Sequence, residues 1–388
     1  MSKYSIVESV VHGRQAYTLD NGLLQVSALR GGGHLVDLRL STSDIRLAIS
    51  PLYVPLYPTI EPYLYHSEDH ARRFGNGAGA RLTASYMGHM LCFPSFGPPT
   101  QAEIKYGFTV HGEALSAPWK EYQPPHLDPS KMKLFYGADL PEVQYRIERT
   151  VTLFANETIV HVEEWIENLA FFDRPFNRNQ HPTFGPPFVS PGKTMLDFPG
   201  TRGITTNRNA GGTLPKEYEF DWPYVTQPDG ISVSLRPFQS MPRSTTYYPV
   251  LLNPTRPLSY FTLYNQELPL LVGYLFPTSD NPWIIDWQEN RSILGEPHKG
   301  QMVARGIEFG TSPFDEGLRK SVERKSFFGT PTFQWIGARE RLKSKFTIFL
   351  TEIPIGFCGV QDILLEPDQI IVLEQKTGCK FVISSSSF

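Results

Sequence analysis

Charge is scarce in this chain of 388 residues, at 19% Asp, Glu, Lys and Arg. The 36 basic and 39 acidic side chains leave a net charge of −3. That balance gives no general attraction to nucleic acid or to a membrane surface, and neither is expected as a partner. Cysteine is nearly absent: Cys92, Cys358 and Cys379 are the only three, widely spaced. This excludes a disulfide framework and a zinc-type cluster, and the thiols read as buried or inert. No apolar run is long enough to span a bilayer, and the N-terminal residues carry no apolar stretch of signal-peptide length. The default expectation is a soluble, cytoplasmic protein. Also missing are a Gly-x-Gly-x-x-Gly turn, a phosphate-binding loop, a Gly-x-Ser-x-Gly elbow and a His-x-Glu-x-x-His helix. His111 and Glu113 do not have a diagnostic metal-ligand spacing, so no metal is expected.

What the chain has in quantity is Gly (31), Pro (34) and aromatic residues (13%). That mixture favours short strands joined by many turns over long amphipathic helices. Alternating or β-rich runs predict strands over residues 23–30, 34–40, 143–153, 159–168, 261–264, 270–276 and 345–351. Short helices are expected only over 65–74 and 315–321. No repeat or linker interrupts residues 1–388, so one continuous all-β domain is the simplest organisation.

Three segments concentrate the chemistry. Met302-Val303-Ala304-Arg305-Gly306-Ile307-Glu308-Phe309-Gly310 places a carboxylate inside an apolar strand-like run. Such a group is costly to bury unless it is bound or protonated. The alternative for Glu308 is a structural ion pair with Arg305 or Arg319; otherwise Gly306 and Gly310 would leave room for a substrate. His111 follows a strand-like run in Gly107-Phe108-Thr109-Val110-His111-Gly112, where Gly112 would let backbone approach a ligand. Trp119 downstream offers an apolar platform for a sugar face. His181 lies in Asn177-Arg178-Asn179-Gln180-His181-Pro182-Thr183, with a stiff turn expected after it. Both imidazoles titrate near neutrality when unperturbed and suit acid or base roles; both could equally be structural. Weaker candidates are His89, Arg73 (an anion-holding residue or a solvated surface arginine), and Asp221 and Asp286, each set among tryptophans as in sugar sites.

In these segments the chain resembles the galactose mutarotase-like superfamily, the aldose 1-epimerases and hexose-6-phosphate 1-epimerases. Gly88-His89-Met90-Leu91-Cys92-Phe93-Pro94-Ser95-Phe96-Gly97 is similar to the Gly-Gly-Ile-Pro-x-Cys-Phe-Pro-x-Phe-Gly stretch of the phosphate-sugar branch, with His89 in place of the second glycine. His111-Gly112 through Pro118-Trp119 matches the His-Gly…Pro-Trp pattern after it. His181 and Glu308 fall where the second histidine and the late glutamate sit, and the order holds from about residue 20 to 350. The resemblance implies a β-supersandwich of large, curved antiparallel sheets and a cofactor-free isomerase acting on a sugar or sugar phosphate. It further implies that Glu308 takes the C1 hydroxyl proton of a pyranose, that His181 protonates the ring oxygen, and that His111 binds that oxygen or a neighbouring hydroxyl. Substrate contacts would fall to His89, Arg73, Trp119, Asp221 and Asp286, in a monomer or homodimer. Two alternatives stand beside this expectation: a carbohydrate-binding or sensing protein, and a glycoside hydrolase or lyase. The second would want two facing carboxylates.

Overall fold

The computed structural model describes residues 4–386 apart from Thr213. It is an all-β sandwich of two large antiparallel sheets, of thirteen and eight strands. The strands Leu24–Leu29, Leu35–Leu40, Tyr145–Phe154, Ile159–Asn168, Leu270–Pro277 and Arg341–Glu352 answer the patterns read from the sequence. The helices Ser67–Phe74 and Leu318–Arg324 overlap the two expected ones. Two further short helices, Ala80–Ser85 and Gln101–Lys105, were not legible in the apolar pattern. The second did carry a signal: Thr100 and Glu103 form a capping box.

The centre of the larger sheet positions the candidate site. Here His89–Cys92, Asn179–Phe184, Val303–Gly310, Trp283–Asn290 and Ser244–Leu252 lie side by side, in that order. The smaller sheet runs Thr194–Asp197, Leu258–Asn265, Leu270–Pro277, Arg341–Glu352, Ile159–Asn168, Tyr145–Phe154, Lys131–Leu140, Lys120–Leu127. One continuous apolar cluster fills the space between the sheets. Phe309 of the larger sheet stacks on Phe276 of the smaller at 4.2 Å between ring centroids.

Successive side chains of a strand point to opposite faces. Leu91, Phe184, Ile307, Phe309 and Ile284 therefore enter the core between the sheets. Met90, Cys92, Trp283, Ile285 and Ala304 face away from it, under loops that form two smaller apolar clusters. Both faces of the central strands are covered, and all eight residues of Val303–Gly310 are buried.

Two local readings are corrected. The residues after His181 form a strand, not a turn: Asn179–Phe184 includes Pro182. The ladder to Val303–Gly310 pairs Gln180 with Phe309 and Thr183 with Gly306, and has no pair at His181 or Pro182 between them. Proline supplies no N–H to a ladder, so its place in a central strand matches that gap. The segment before His111 is not a strand; His111 lies in a turn at φ 63°.

Candidate active site

His181, on Asn179–Phe184, and Glu308, on Val303–Gly310, point out of the sheet on the face turned away from the core. His181 Nε2 lies 3.2 Å from Glu308 Oε1. Their side chains retain only 4% and 3% exposure. Burial disfavours the charged form of each. It lowers the His181 imidazole to about 3. It raises the Glu308 carboxyl well above the usual carboxylate range, helped by the nearby charge of Asp315. The two groups thus meet as a neutral imidazole and a neutral carboxyl. Glu308 Oε2 is buried and has no hydrogen-bond partner among the described residues. A buried carboxyl oxygen left bare costs about 1–3 kcal/mol, which a ligand hydroxyl would relieve.

His111 completes the group. Its ring centroid is 5.5 Å from that of His181, and the planes are nearly perpendicular at 83°. Its Nδ1 accepts the Gly97 N–H at 3.1 Å, and Phe96 packs on its ring at 5.3 Å. Burial, then the neighbouring His181 and Arg208, hold His111 well below the ordinary imidazole range. With Nδ1 an acceptor, the neutral ring carries its hydrogen on Nε2. Tyr86 and Trp287 stand edge-on to His181 at 6.0 and 6.1 Å.

A cavity of about 420 Å³ lies nearby; its wall includes Pro98, Arg208, Tyr247, Phe314, Asp315 and Lys320, and none of His111, His181 and Glu308 lines it. The turn at Gly97 links the two: it bonds to His111 and packs against the Asp315 backbone. Asp315 pairs with Arg208, and burial still raises its carboxyl to about 7. Tyr247 donates to the Pro313 carbonyl at 3.1 Å and accepts the Asp315 N–H at 3.0 Å. None of these wall residues stood out in the sequence. Asp315 reads as part of a helix start, and nothing local separates Tyr247 from Tyr248, which faces the opposite way.

The sequence candidates divide sharply. His111, His181 and Glu308 converge. Trp119 does not join them: it is buried in the intersheet core, beneath the Arg149 guanidinium at 4.6 Å, and its Nε1 donates to the Ala114 carbonyl. His89 also faces that core, bonded to Gln180 Oε1 at 2.9 Å and packed on Phe346. Asp286 makes a fully buried ion pair with Arg305 at 2.6 Å on the core face. Asp221 is exposed on the short strand Glu219–Asp221 towards one end of the large sheet. Arg73 is exposed on Ser67–Phe74, its guanidinium over the rings of Phe74 and Tyr57. The glycines make room for protein rather than ligand. A Cβ at Gly112 would strike the Phe93 backbone, one at Gly310 the Arg178 carbonyl, and one at Gly306 the rings of His181 and Trp287. Of the thiols, Cys92 is buried beneath the site, but Cys379 is exposed. Among the described residues no cluster of His, Cys, Asp and Glu has the makings of a metal site. No described helix is long and apolar enough to cross a membrane.

No protein-family model and no curated protein matches the sequence. Solved structures do match in three dimensions. A provisionally assigned aldose 1-epimerase from Klebsiella pneumoniae superposes with a TM-score of 0.64 at 14% identity, over 89% of this chain and 83% of that one. A galactose mutarotase-like protein from Clostridium acetobutylicum gives 0.58 at 12% identity, over 90% and 99%. Another from Lactobacillus casei gives 0.53 at 12% identity, over 87% and 100%. At such identities the likeness speaks for architecture alone: the chain shares the fold of these aldose 1-epimerase and galactose mutarotase-like structures.

Proposed function

We propose that this protein interconverts the anomers of a sugar, as an aldose 1-epimerase does, with Glu308 and His181 as the acid–base pair. One observation carries the reading: a buried carboxyl and imidazole 3.2 Å apart, with the second carboxyl oxygen bare and a further imidazole alongside. Ring opening moves one proton from the C1 hydroxyl to the ring oxygen. Glu308 as carboxylate accepts the first as the bond from C1 to the ring oxygen breaks, and His181 as imidazolium supplies the second. The pair ends with the proton on Glu308 and a neutral His181, the same count it began with. Rotation about C1–C2 and the reverse transfers close the ring on the other face. Burial by protein alone places the proton on Glu308. Sugar hydroxyls at Oε2 would replace lost solvation and favour the carboxylate–imidazolium form of the pair. Acid–base assistance of this kind typically gives about 10²–10⁴-fold per group.

The charge of the cavity wall favours an unphosphorylated aldose over a sugar phosphate. Arg208 is paired with Asp315, and Arg324 holds Glu316 through two bonds of 2.7 and 2.8 Å. A phosphate at either arginine would have to displace its carboxylate, which leaves Lys320 as the remaining cation of that wall. The protein is placed in the cytoplasm on this reading, with no cofactor. A second reading, a sugar-binding protein without turnover, is favoured by the near-complete burial of His181 and Glu308, neither of which lines the cavity.

Anomer-exchange NMR with a panel of aldoses and their phosphates separates these. The native protein should accelerate exchange for at least one neutral aldose. Glu308→Gln and His181→Asn should each lower it at least 100-fold while binding is partly retained. Exchange at native rates in both variants would refute the assignment; binding without exchange in the native protein would favour the second reading.

A further inference from the structure

We propose that Thr183 is a positioning residue for His181, its hydroxyl serving the imidazole Nδ1 in whichever protonation state the ring holds. The effect on rate rests on the acid–base reading above; the hydrogen-bond assignment itself does not.

Thr183 lies two residues beyond His181 on the same strand, so both side chains share a face. Its Oγ1 is 3.1 Å from His181 Nδ1 and 2.8 Å from the Tyr86 hydroxyl. Thr183, His181 and Tyr86 are all buried. Thr183 has one hydroxyl hydrogen and two neighbours to give it to. Tyr86 also has one, and Thr183 is its sole hydrogen-bond partner among the described residues. Burial raises the Tyr86 phenol well above its ordinary range, so it stays a donor.

Two arrangements are possible. In the first, Tyr86 donates to Thr183 and Thr183 donates to Nδ1. Every hydrogen is used, and His181 carries its own on Nε2, facing Glu308 Oε1. In the second, Nδ1–H donates to Thr183 and Thr183 donates to Tyr86, which leaves the Tyr86 hydrogen unsatisfied. A buried unsatisfied donor is costly, so the first arrangement holds at rest. Protonation of His181 needs only the two hydroxyl rotors to turn, with no heavy atom moving. The second arrangement also disfavours the imidazolium, which keeps it a ready proton donor. A carbonyl at this place would serve only the protonated ring, and a methyl neither state.

The test uses the whole protein labelled with ¹⁵N in its histidines, together with Thr183→Val and Thr183→Ser. In the native protein at neutral pH, long-range ¹H–¹⁵N spectra should show His181 Nδ1 without a hydrogen and Nε2 with one. Thr183→Val should shift the Nδ1 resonance and lower kcat for anomer exchange about tenfold with little change in KM. That matches one lost hydrogen bond of about 1.4 kcal/mol. Thr183→Ser keeps a hydroxyl and should restore both readouts. A hydrogen on Nδ1 in the native protein overturns the proposal. So does a valine variant unchanged in spectrum and rate, or a serine variant as impaired as valine. If the native protein exchanges no sugar, the spectra still decide the hydrogen-bond assignment, and only the acid–base reading falls.

Discussion

Gly306 is held between two rings: an added Cβ would come within 3.0 Å of His181 Cε1 and 3.0 Å of Trp287 Cε3. Neither ring is free to retreat, since His181 is bonded to Thr183 and lies against Glu308, and Trp287 packs on Tyr86. Gly306→Ala should therefore tilt His181 off its partner. We expect a loss of about 1–3 kcal/mol in stability by urea denaturation, as for overpacking elsewhere. Anomer exchange should fall at least tenfold, since small misplacements weigh heavily in oriented catalysis. Exchange at the native rate would show that the ring is not held as tightly as drawn. The same residue scale shows what the sequence could reveal. Glu308 was legible because a carboxylate in an apolar run demands an explanation, and His181 because polar residues crowd around it. Asp286 satisfied a similar pattern for another reason: its carboxylate neutralises Arg305. Trp119 and His89 carry site-like chemistry but point into the core. Local composition tells which residue types are present; it does not tell which face of a strand each one takes.

At the scale of the element, the strand Val303–Gly310 serves both faces. Glu308 turns towards the site, and Arg305 turns to the core, bonded to Asp286 through Nε at 3.1 Å and Nη2 at 2.6 Å. Further bonds run from Arg305 to the carbonyls of Thr194 and Arg236. Arg305→Met would leave the Asp286 charge buried without its partner. We expect about 3–5 kcal/mol of destabilisation by urea denaturation, the cost of breaking a buried pair from one side. A loss under about 1 kcal/mol would mean that Asp286 is protonated or hydrated in the variant. Strands with one drier and one wetter face, such as Tyr145–Phe154 and Ile159–Asn168, stood out through their alternation. Strands covered on both faces do not alternate. Asn179–Phe184 was further disguised by Pro182, which reads as a breaker wherever the surrounding ladder cannot be seen.

At the scale of the whole molecule, stability should depend on pH through groups that burial pushes in opposite directions. His34 and His181 are both lowered to about 3 from an ordinary 6.5. Between those values the unfolded chain binds more protons, so their contribution to stability rises with pH and is lost on acidification. Asp315 is raised to about 7 from 3.8, so the folded chain binds more protons in that window and its contribution falls as pH rises. Urea midpoints measured from about pH 4 to 7 should separate the two. His34→Gln should flatten the rise with pH, and Asp315→Asn should steepen it. Unchanged slopes would show that these groups titrate normally in the folded protein, and reversed signs that their shifts run the other way. The order of the smaller sheet has a consequence for a chain made from its N-terminus. Its middle strand, Arg341–Glu352, is the last of the eight to be synthesised, yet it joins Leu270–Pro277 to Ile159–Asn168. Until it emerges, the nascent protein holds two unfinished half-sheets, each offering a bare edge to any neighbour on the same messenger. A single late strand closes both edges at once, so the time most exposed to misassembly should end when that strand clears the ribosome.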